Sequence, residues 1–148
     1  MNKQNLELIV TMLTEVSAGS WKVTAPMHLE PAITGVKCAF NMWSWVSGYG
    51  TGCGFSACAV GHATLDKRFT ELGWKLDEIV PVWVNPKTNT EHRNWFGVEE
   101  FFQLGDLATE YLFMNSNYID PDNNGDALVV TPDMVIDRIK VLMQLGEE

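Results

Sequence analysis

The hydrophobic pattern of the first twenty residues is that of an amphipathic helix. Four apolar residues follow one another at steps of three or four positions, with polar residues between them: Leu6, Ile9, Leu13 and Val16. This spacing places them on one face of a helix. The pattern therefore predicts a helix over residues 3–17 that ends near Gly19.

A run of small residues follows a glycine-rich turn in the middle of the chain. Residues 53–63 are mostly glycine, alanine, serine and cysteine. They predict a helix, and a second helical stretch continues the pattern to Gly73, a residue type that commonly ends helices. Before the turn, aromatic and β-branched residues at 36–46 predict a short strand.

The segment after Gly73 has the pattern of a β-hairpin. Residues 79–84 are rich in valine and predict a strand. Pro81 has no N–H to donate, which predicts that this strand lies at a sheet edge. The turn-forming residues 85–89 predict that residues 90–95 return beside it.

Three helices are predicted in the last third of the chain. Residues 97–103 and 106–114 form two short helical patterns, with Asp106 as the expected N-cap of the second. The last helix has the clearest start, because Thr131 can cap it and Pro132 suits its first position. Its apolar stripe consists of Val135, Ile139 and Leu142.

Together these elements predict a mainly α fold with a small β-hairpin, within the α+β class. We expect about five helices in one compact domain, because 148 residues are enough to bury a substantial core. Residues 97–148 are expected to pack on the rest of the domain, since apolar residues recur in them at helical spacing. These are Val98, Phe101, Phe102, Leu107, Tyr111, Leu112, Val135, Ile139 and Leu142.

The net charge of −9 is confined to the last third of the chain. Residues 1–96 hold eight acidic and eight basic residues, whereas residues 97–148 hold eleven acidic residues against Arg138 and Lys140. An acidic chain repels the phosphate backbone, so nucleic-acid binding is not expected. We interpret the acidic part as a solvated face, and the alternative is a docking face for a basic partner.

The remaining composition predicts the compartment. No apolar run approaches the roughly 20 residues that a membrane helix needs. A secretory signal needs an uninterrupted apolar segment, and the acidic residues Glu7 and Glu15 interrupt the apolar residues of the first helix, which argues against such a signal. Three cysteines fit a reducing compartment better than a disulfide framework. We therefore expect a cytoplasmic protein that does not bind membranes.

Four short motifs resemble a known group of proteins. They are Phe40-Asn41-Met42 with a nearby tryptophan, Cys53-Gly54-x3-Cys58-x2-Gly61-x-Ala63, Trp95-Phe96-Gly97-Val98 and Thr131-Pro132-x-Met134-Val135-x2-Arg138-Ile139. Over residues 40–142 the chain resembles a group of small proteins encoded by phages, prophages and some bacteria. The resemblance implies an intracellular, phage-related setting in a bacterial host. No function is known for the group, so the resemblance supplies no catalytic residues.

The glycine-rich turn before the small-residue helix is suited to anion binding. Successive free N–H groups at a helix N-terminus attract phosphate. The turn lacks the lysine of a Walker P-loop, which favours binding of a nucleotide-like ligand over its hydrolysis. Nearby aromatic side chains can stack on a base. The candidate ligand-binding residues are Thr51, Gly52, Cys53, Gly54, Phe55, Ser56, Trp43, Trp45 and Tyr49.

Cys53 is the candidate nucleophile if the protein is an enzyme. A thiol at a helix N-terminus has a lowered pKa, but nucleophilic catalysis also needs a base within reach. His62 lies nine residues on and on nearly the opposite side of the predicted helix. The base would therefore be His92 or His28, brought to Cys53 by the fold. A buried structural cysteine is the alternative that we favour.

Two further patterns suggest metals, and neither is favoured. Cys58 and His62 stand four residues apart, and they can hold zinc only if two more ligands arrive through the fold. The second pattern resembles the first half of a calcium loop and consists of Asp120, Asp122 and Asn124. Thr131 occupies its twelfth position, where a glutamate is expected. We therefore interpret this run as a solvated turn and expect no cofactor.

Three classes of function remain open. We expect a non-catalytic binding protein, a phage-type accessory or anti-defence protein that captures a small anionic ligand or docks on a host protein. The alternatives are a cysteine-dependent hydrolase using Cys53 and a purely structural or interaction protein. The sequence also leaves open whether the chain forms a homo-oligomer.

Overall fold

The computed structural model describes residues 1–25, 35, 38–42, 44–47, 56–118 and 129–146. The helices of this part are α1 (Lys3–Ala18), α2 (Ala59–Thr64), α3 (Lys67–Thr70), α4 (Trp95–Phe102), α5 (Asp106–Phe113) and α6 (Pro132–Leu145), with a 3-10 helix at Asn115–Asn117. Its strands are β1 (Ala39–Phe40), β2 (Val46–Ser47), β3 (Ser56–Ala57), β4 (Trp74–Asp77), β5 (Val80–Val84) and β6 (Glu91–Arg93). None of the helices in these ranges has both the length and the apolar character that a membrane span needs.

The prediction of a mainly α fold with one small β-hairpin is wrong. Helices hold 50% of the structure and strands 16%, and the described strands form two three-stranded sheets. The fold is therefore α+β with β structure in two places. The short strand predicted within residues 36–46 is present as β1, but the sequence does not reveal the sheet, because each of its strands is two residues long.

The first sheet has the strand order β1-β3-β2, and it corrects the predicted helix over residues 53–63. Ser56 and Ala57 form the central strand, which runs parallel to β1 and antiparallel to β2. Cys58 is still extended, and its Sγ accepts a hydrogen bond from the backbone N–H of Gly61 at 3.4 Å. This cap starts α2 at Ala59, so the thiol at the helix start is that of Cys58.

The second sheet is an antiparallel meander in the order β4-β5-β6. It confirms the predicted hairpin of β5 and β6, but β5 is the central strand, so the edge position inferred from Pro81 is wrong. The Pro81 carbonyl accepts a hydrogen bond from Asn94 N–H at 3.0 Å, just beyond the end of β6. The nitrogen of a strand residue faces the same side as its carbonyl. The missing N–H of Pro81 therefore costs no hydrogen bond of the ladder.

The first and last helices agree with their predictions and pack against each other. α1 ends at Gly19, whose φ of 74° is the left-handed conformation that glycine adopts readily. At the start of α6 the Thr131 hydroxyl accepts a hydrogen bond from Met134 N–H at 3.4 Å. The Ser17 hydroxyl donates to Asp133 Oδ1 at 2.9 Å, which joins the end of α1 to the start of α6. The two helices are therefore antiparallel.

The acidic last third contributes to the same core as the first helix. Six of its predicted core residues are buried there: Val98, Phe101, Phe102, Leu112, Val135 and Ile139. Leu107 and Tyr111 were predicted to pack as well, but they are 82% and 39% exposed. They lie on the outer side of α5, which begins at Asp106 with Gly105 as its N-cap. The expectation of one domain for residues 1–148 stays a prediction.

Arg138 of α6 fixes the end of α5. Its guanidinium donates to the carbonyls of Tyr111 at 2.6 Å and Asn117 at 2.8 Å. The same group lies 3.6 Å from the ring centroid of Tyr118, a cation–π distance. The Tyr118 hydroxyl in turn donates to the Leu112 carbonyl at 2.6 Å. These contacts hold α5 and the 3-10 helix against α6.

Candidate functional site

A cavity of about 190 Å³ lies where four separate parts of the fold meet. The loop between β1 and β2, the start of α2, the start of α4 and the end of α5 each contribute to its wall. The lining residues are Met42, Ser44, Trp45, Cys58, Trp95 and Phe113. None of these described residues carries a charge. The cavity is therefore suited to an uncharged chemical group.

Two tryptophans form the aromatic part of the wall. The ring centroids of Trp45 and Trp95 are 4.5 Å apart, with an angle of 53° between the planes. Both residues are partly exposed, so their rings are not fully used by the core. The backbone of Trp45 is held in place, because Gly61 of α2 lies directly against its carbonyl.

Ser44 is a polar residue of the cavity wall. Its Oγ is buried and has no hydrogen-bond partner within the described part of the chain. Its carbonyl accepts a hydrogen bond from Cys58 N–H at 3.0 Å, which fixes the backbone beside the cavity. A buried hydroxyl without a partner destabilises a protein by roughly 1–3 kcal/mol. The Ser44 hydroxyl is thus available to a ligand.

The two described cysteines are free and buried thiols, not nucleophiles. Burial raises the pKa of Cys58 to about 11, although hydrogen bonds from the backbone N–H groups of Gly61 and Val60 act in the opposite direction. Burial and the neighbouring Cys58 raise the pKa of Cys38 to about 12. Both sulfurs therefore stay protonated at neutral pH, and Cys58 contributes a small apolar group to the cavity wall.

His62 is fully buried, and its ring nitrogens face backbone carbonyls. Nδ1 lies 2.9 Å from the Cys58 oxygen, and Nε2 lies 3.4 Å from the Cys38 oxygen. The ring packs against Trp21 at a centroid distance of 4.6 Å. Among the residues with described positions, no group of three or more histidine, cysteine or carboxylate side chains could hold a metal. The Cys58–His62 pair, a zinc candidate that the sequence does not favour, thus receives no third ligand from this part of the chain.

The structure describes two of the nine predicted ligand-binding residues. Trp45 lines the cavity, and Ser56 lies in β3 and does not line it. The other seven lie outside the described residues: Trp43, Tyr49, Thr51, Gly52, Cys53, Gly54 and Phe55. Their roles stay predictions. The residues of the disfavoured calcium pattern, Asp120, Asp122 and Asn124, also lie outside the described residues. Thr131, the twelfth position of that calcium pattern, caps α6.

The candidate catalytic pair is described at one of its two members. His92 lies in β6 and stacks on Trp83, with ring centroids 5.7 Å apart and an angle of 24°. Cys53 lies outside the described residues, so the pairing of the two stays a prediction.

Sequence reasoning did not assign Trp95, Phe113 or Ser44 to a site. Trp95 is the first residue of α4 and Phe113 the last of α5, so tertiary packing alone brings them to Trp45. The occurrence of Trp95 in one of the four resemblance motifs was the available signal. Phe113 and Ser44 have no signal in the sequence.

No protein-family model, curated protein or solved structure matches this chain. The phage-related setting implied by the resemblance therefore stays a prediction.

Acidification is expected to destabilise the protein through His62. Burial lowers its pKa in the folded state and outweighs the carbonyls of Cys58 and Cys38, which favour the protonated ring. Below the unfolded pKa of about 6.5, the unfolded chain binds a proton that folded His62 does not accept. Stability is then present above this pH and falls by up to about 1.4 kcal/mol per pH unit below it.

Urea unfolding between pH 7 and pH 5 measures this effect. His62→Gln is expected to remove most of the pH dependence in this window, whereas His92→Gln at a half-buried surface site is expected to retain it. An unchanged pH dependence in His62→Gln would show that another group is responsible.

Proposed function

We propose that this chain is a non-catalytic binding protein that holds the flat, uncharged end of a small nucleotide-like ligand in the aromatic cavity. The observation that carries the proposal is the Trp45–Trp95 pair beside the Ser44 hydroxyl that lacks a described partner. A base has a π-face for the tryptophans and polar edge atoms for the hydroxyl. A single base can therefore stack on the tryptophans and form a hydrogen bond with the Ser44 hydroxyl.

The cavity is large enough for one part of a nucleotide-like ligand but too small for the whole ligand. Pockets for drug-sized ligands measure roughly 300–1,000 Å³, and this cavity measures about 190 Å³. One flat ring system fits this description. Stacking of a base on an aromatic side chain contributes roughly 1–3 kcal/mol, which is enough to orient a ligand.

The charged end of such a ligand would lie outside the cavity, because its described wall is uncharged. The glycine-rich turn predicted to bind phosphate precedes β3 in the chain. We therefore retain the prediction that this turn contributes N–H groups to the ligand. A nucleoside and its 5′-monophosphate test this point, since they differ only in the charged group.

The two described cysteines are not suited to nucleophilic catalysis. The described thiols are protonated at neutral pH, and the one in the cavity wall, Cys58, is already the acceptor of a hydrogen bond from Gly61. A hydrolase based on Cys53 remains the alternative. Iodoacetamide labelling at pH 6 distinguishes the two, because a reactive thiolate would label in the native protein.

Ser44→Ala is expected to weaken ligand binding about tenfold while leaving the ligand-free protein as stable as the wild type or more stable. The two effects have one cause. The Ser44 hydroxyl has no described hydrogen-bond partner in the ligand-free protein, and in the proposed complex it forms a hydrogen bond to the ligand. A panel of nucleosides, nucleotides and cyclic nucleotides serves as the probe. Tryptophan fluorescence quenching gives the affinities, and thermal unfolding gives the stabilities.

Ser47→Ala is the matched control, because Ser47 lies in β2 and its side chain is exposed. It is expected to change neither quantity. Trp45→Leu should weaken binding by roughly 10- to 100-fold, as loss of a stacked base contact implies. A panel that produces neither quenching nor a rise in melting temperature contradicts the proposal and favours a structural role for the aromatic cluster.

A further inference from the structure

Two neighbouring helices of the acidic third expose large apolar side chains. Phe96 on α4 is 71% exposed, and Leu107 on α5 is 82% exposed. Tyr111 follows Leu107 by one helical turn and lies on the same face of α5. Single exposed apolar residues are ordinary on protein surfaces. These three residues differ from such isolated cases because acidic side chains surround them.

Carboxylates group these apolar residues into one surface. Glu99 and Glu100 follow Phe96 by one turn of α4, and Asp106 and Glu110 flank Leu107 on α5. The Asp106 carboxylate lies close enough to Glu99 to raise the pKa of the Glu99 carboxyl, and α4 packs against α5, so the outer sides of the two helices adjoin. We name this surface the acidic–apolar face, and its residues are Phe96, Glu99, Glu100, Asp106, Leu107, Glu110 and Tyr111.

None of the described salt bridges pairs a carboxylate of this face with a base. Partial burial and the charges of Asp106, Glu100 and Glu110 raise the pKa of Glu99, a sign of crowded like charges. The sequence has no lysine, arginine or histidine between residues 94 and 137. The described salt bridges all join residues of the first 96. The first base after this gap, Arg138, donates to the Tyr111 and Asn117 carbonyls and lies 4.4 Å from the Tyr111 ring centroid, so it is a positive charge at the edge of the face.

We propose that the acidic–apolar face binds a basic amphipathic helix of a partner protein. Lysine and arginine side chains of such a helix complement the four carboxylates, and its apolar side chains cover Phe96 and Leu107. Other occupants lack this complementarity. Nucleic acids and anionic membranes repel the face, and a second copy of this chain would bring a net charge of −9 against −9.

A short amphipathic helical peptide of lysine and leucine is the probe, with leucine at helical spacing. A peptide of the same composition in scrambled order controls for charge alone. Fluorescence anisotropy of the labelled peptides with the full-length protein gives the affinities. Raising NaCl from about 50 to about 500 mM is expected to weaken binding of the amphipathic peptide at least tenfold, since exposed charges are screened.

Matched substitutions locate the binding surface. Leu107→Ser and Glu110→Lys are each expected to weaken binding about tenfold, as changes at the centre of a small interface do. Ile79→Ser, at a 62% exposed residue of the β4–β5 turn, and Glu7→Lys on α1 are expected to change it less than about twofold. Glu7→Lys alters the net charge as much as Glu110→Lys, so the pair separates the face from general attraction.

Three results would overturn the proposal. These are equal affinity for the scrambled peptide, equal losses in the control variants, or no binding by the amphipathic peptide at the lower salt concentration. All variants are at exposed side chains, and circular dichroism checks that each is folded. The test does not depend on the ligand of the aromatic cavity.

Discussion

Replacing Gly61 by alanine is expected to lower the free energy of unfolding by about 3 kcal/mol or more. An alanine Cβ at this position of α2 would lie 1.7 Å from the carbonyl oxygen of Trp45 and 2.7 Å from its carbonyl carbon. Both are backbone atoms, so no side-chain rotation relieves the overlap. The helix and the Trp45 segment would have to separate, which opens the core between them.

Thermal unfolding followed by circular dichroism measures the loss, and a fall of about 10 °C is expected for a chain of this size. Gly105→Ala is the matched control, because no described atom lies within 4 Å of the position that an alanine Cβ would take, and the φ of Gly105 is −80°. It is expected to change stability by less than about 1 kcal/mol. A Gly61→Ala protein as stable as Gly105→Ala would contradict the close approach of α2 to Trp45. Ligand affinity should fall together with stability, because Trp45 also lines the cavity.

Asp66→Ala is the second substitution with a large expected effect. The Asp66 carboxylate accepts hydrogen bonds from Trp21 Nε1 at 2.9 Å and from Arg68 Nη2 at 2.7 Å, and its side chain is 2% exposed. It also accepts from Arg68 N–H at 2.9 Å as the N-cap of α3. One carboxylate thus joins the segment after α1 to the start of α3.

We expect Asp66→Ala to cost about 3–5 kcal/mol, because Arg68 and the Trp21 N–H lose a partner and α3 loses its cap. Urea unfolding at pH 7 measures the loss. Glu71→Ala removes an exposed carboxylate that pairs with Lys67 at 3.8 Å, and it should cost less than about 0.5 kcal/mol. Similar losses in the two variants would show that the buried network does not stabilise the fold.

Asp66 also predicts a dependence on acid. Burial acts to raise its pKa, but the hydrogen bonds from Arg68 and Trp21 outweigh burial, so the pKa lies below its usual value. Its contribution to stability is therefore complete above the unfolded pKa of about 3.9 and is lost as the pH falls further. This loss begins at a lower pH than the one expected from His62, so the two are separable in one titration.

The sequence predicts the helices and strands whose ends are marked by capping or turn-forming residues. α1 and α6 were found because their apolar stripes are long and end in recognisable caps, Gly19 and Thr131. The β5–β6 hairpin was found from its turn. The alternating residues Trp74 to Asp77 carried a signal for β4, but four residues are too few to separate a strand from the end of a helix.

The first sheet, the cavity and the burial of individual apolar residues depend on contacts between distant parts of the chain. Small residues at 56–58 suit a packed helix and a packed strand equally well, and pairing with β1 and β2 decides for the strand. The cavity also depends on tertiary contacts. Trp45 is a candidate from its position near the glycine-rich turn, but Trp95 reaches the cavity only through the packing of α4. The exposed Leu107 has the helical spacing of a core residue, and periodicity alone does not distinguish it from Leu112.

The antiparallel packing of α1 on α6 has a consequence for biosynthesis. α1 begins at Lys3 and is translated well before α6, which ends at Leu145. Until α6 has been translated, the side of α1 that it covers faces solvent, with apolar residues exposed. Contacts between such distant segments also form slowly. The nascent chain therefore exposes apolar surface of α1 until α6 has emerged and packs against it.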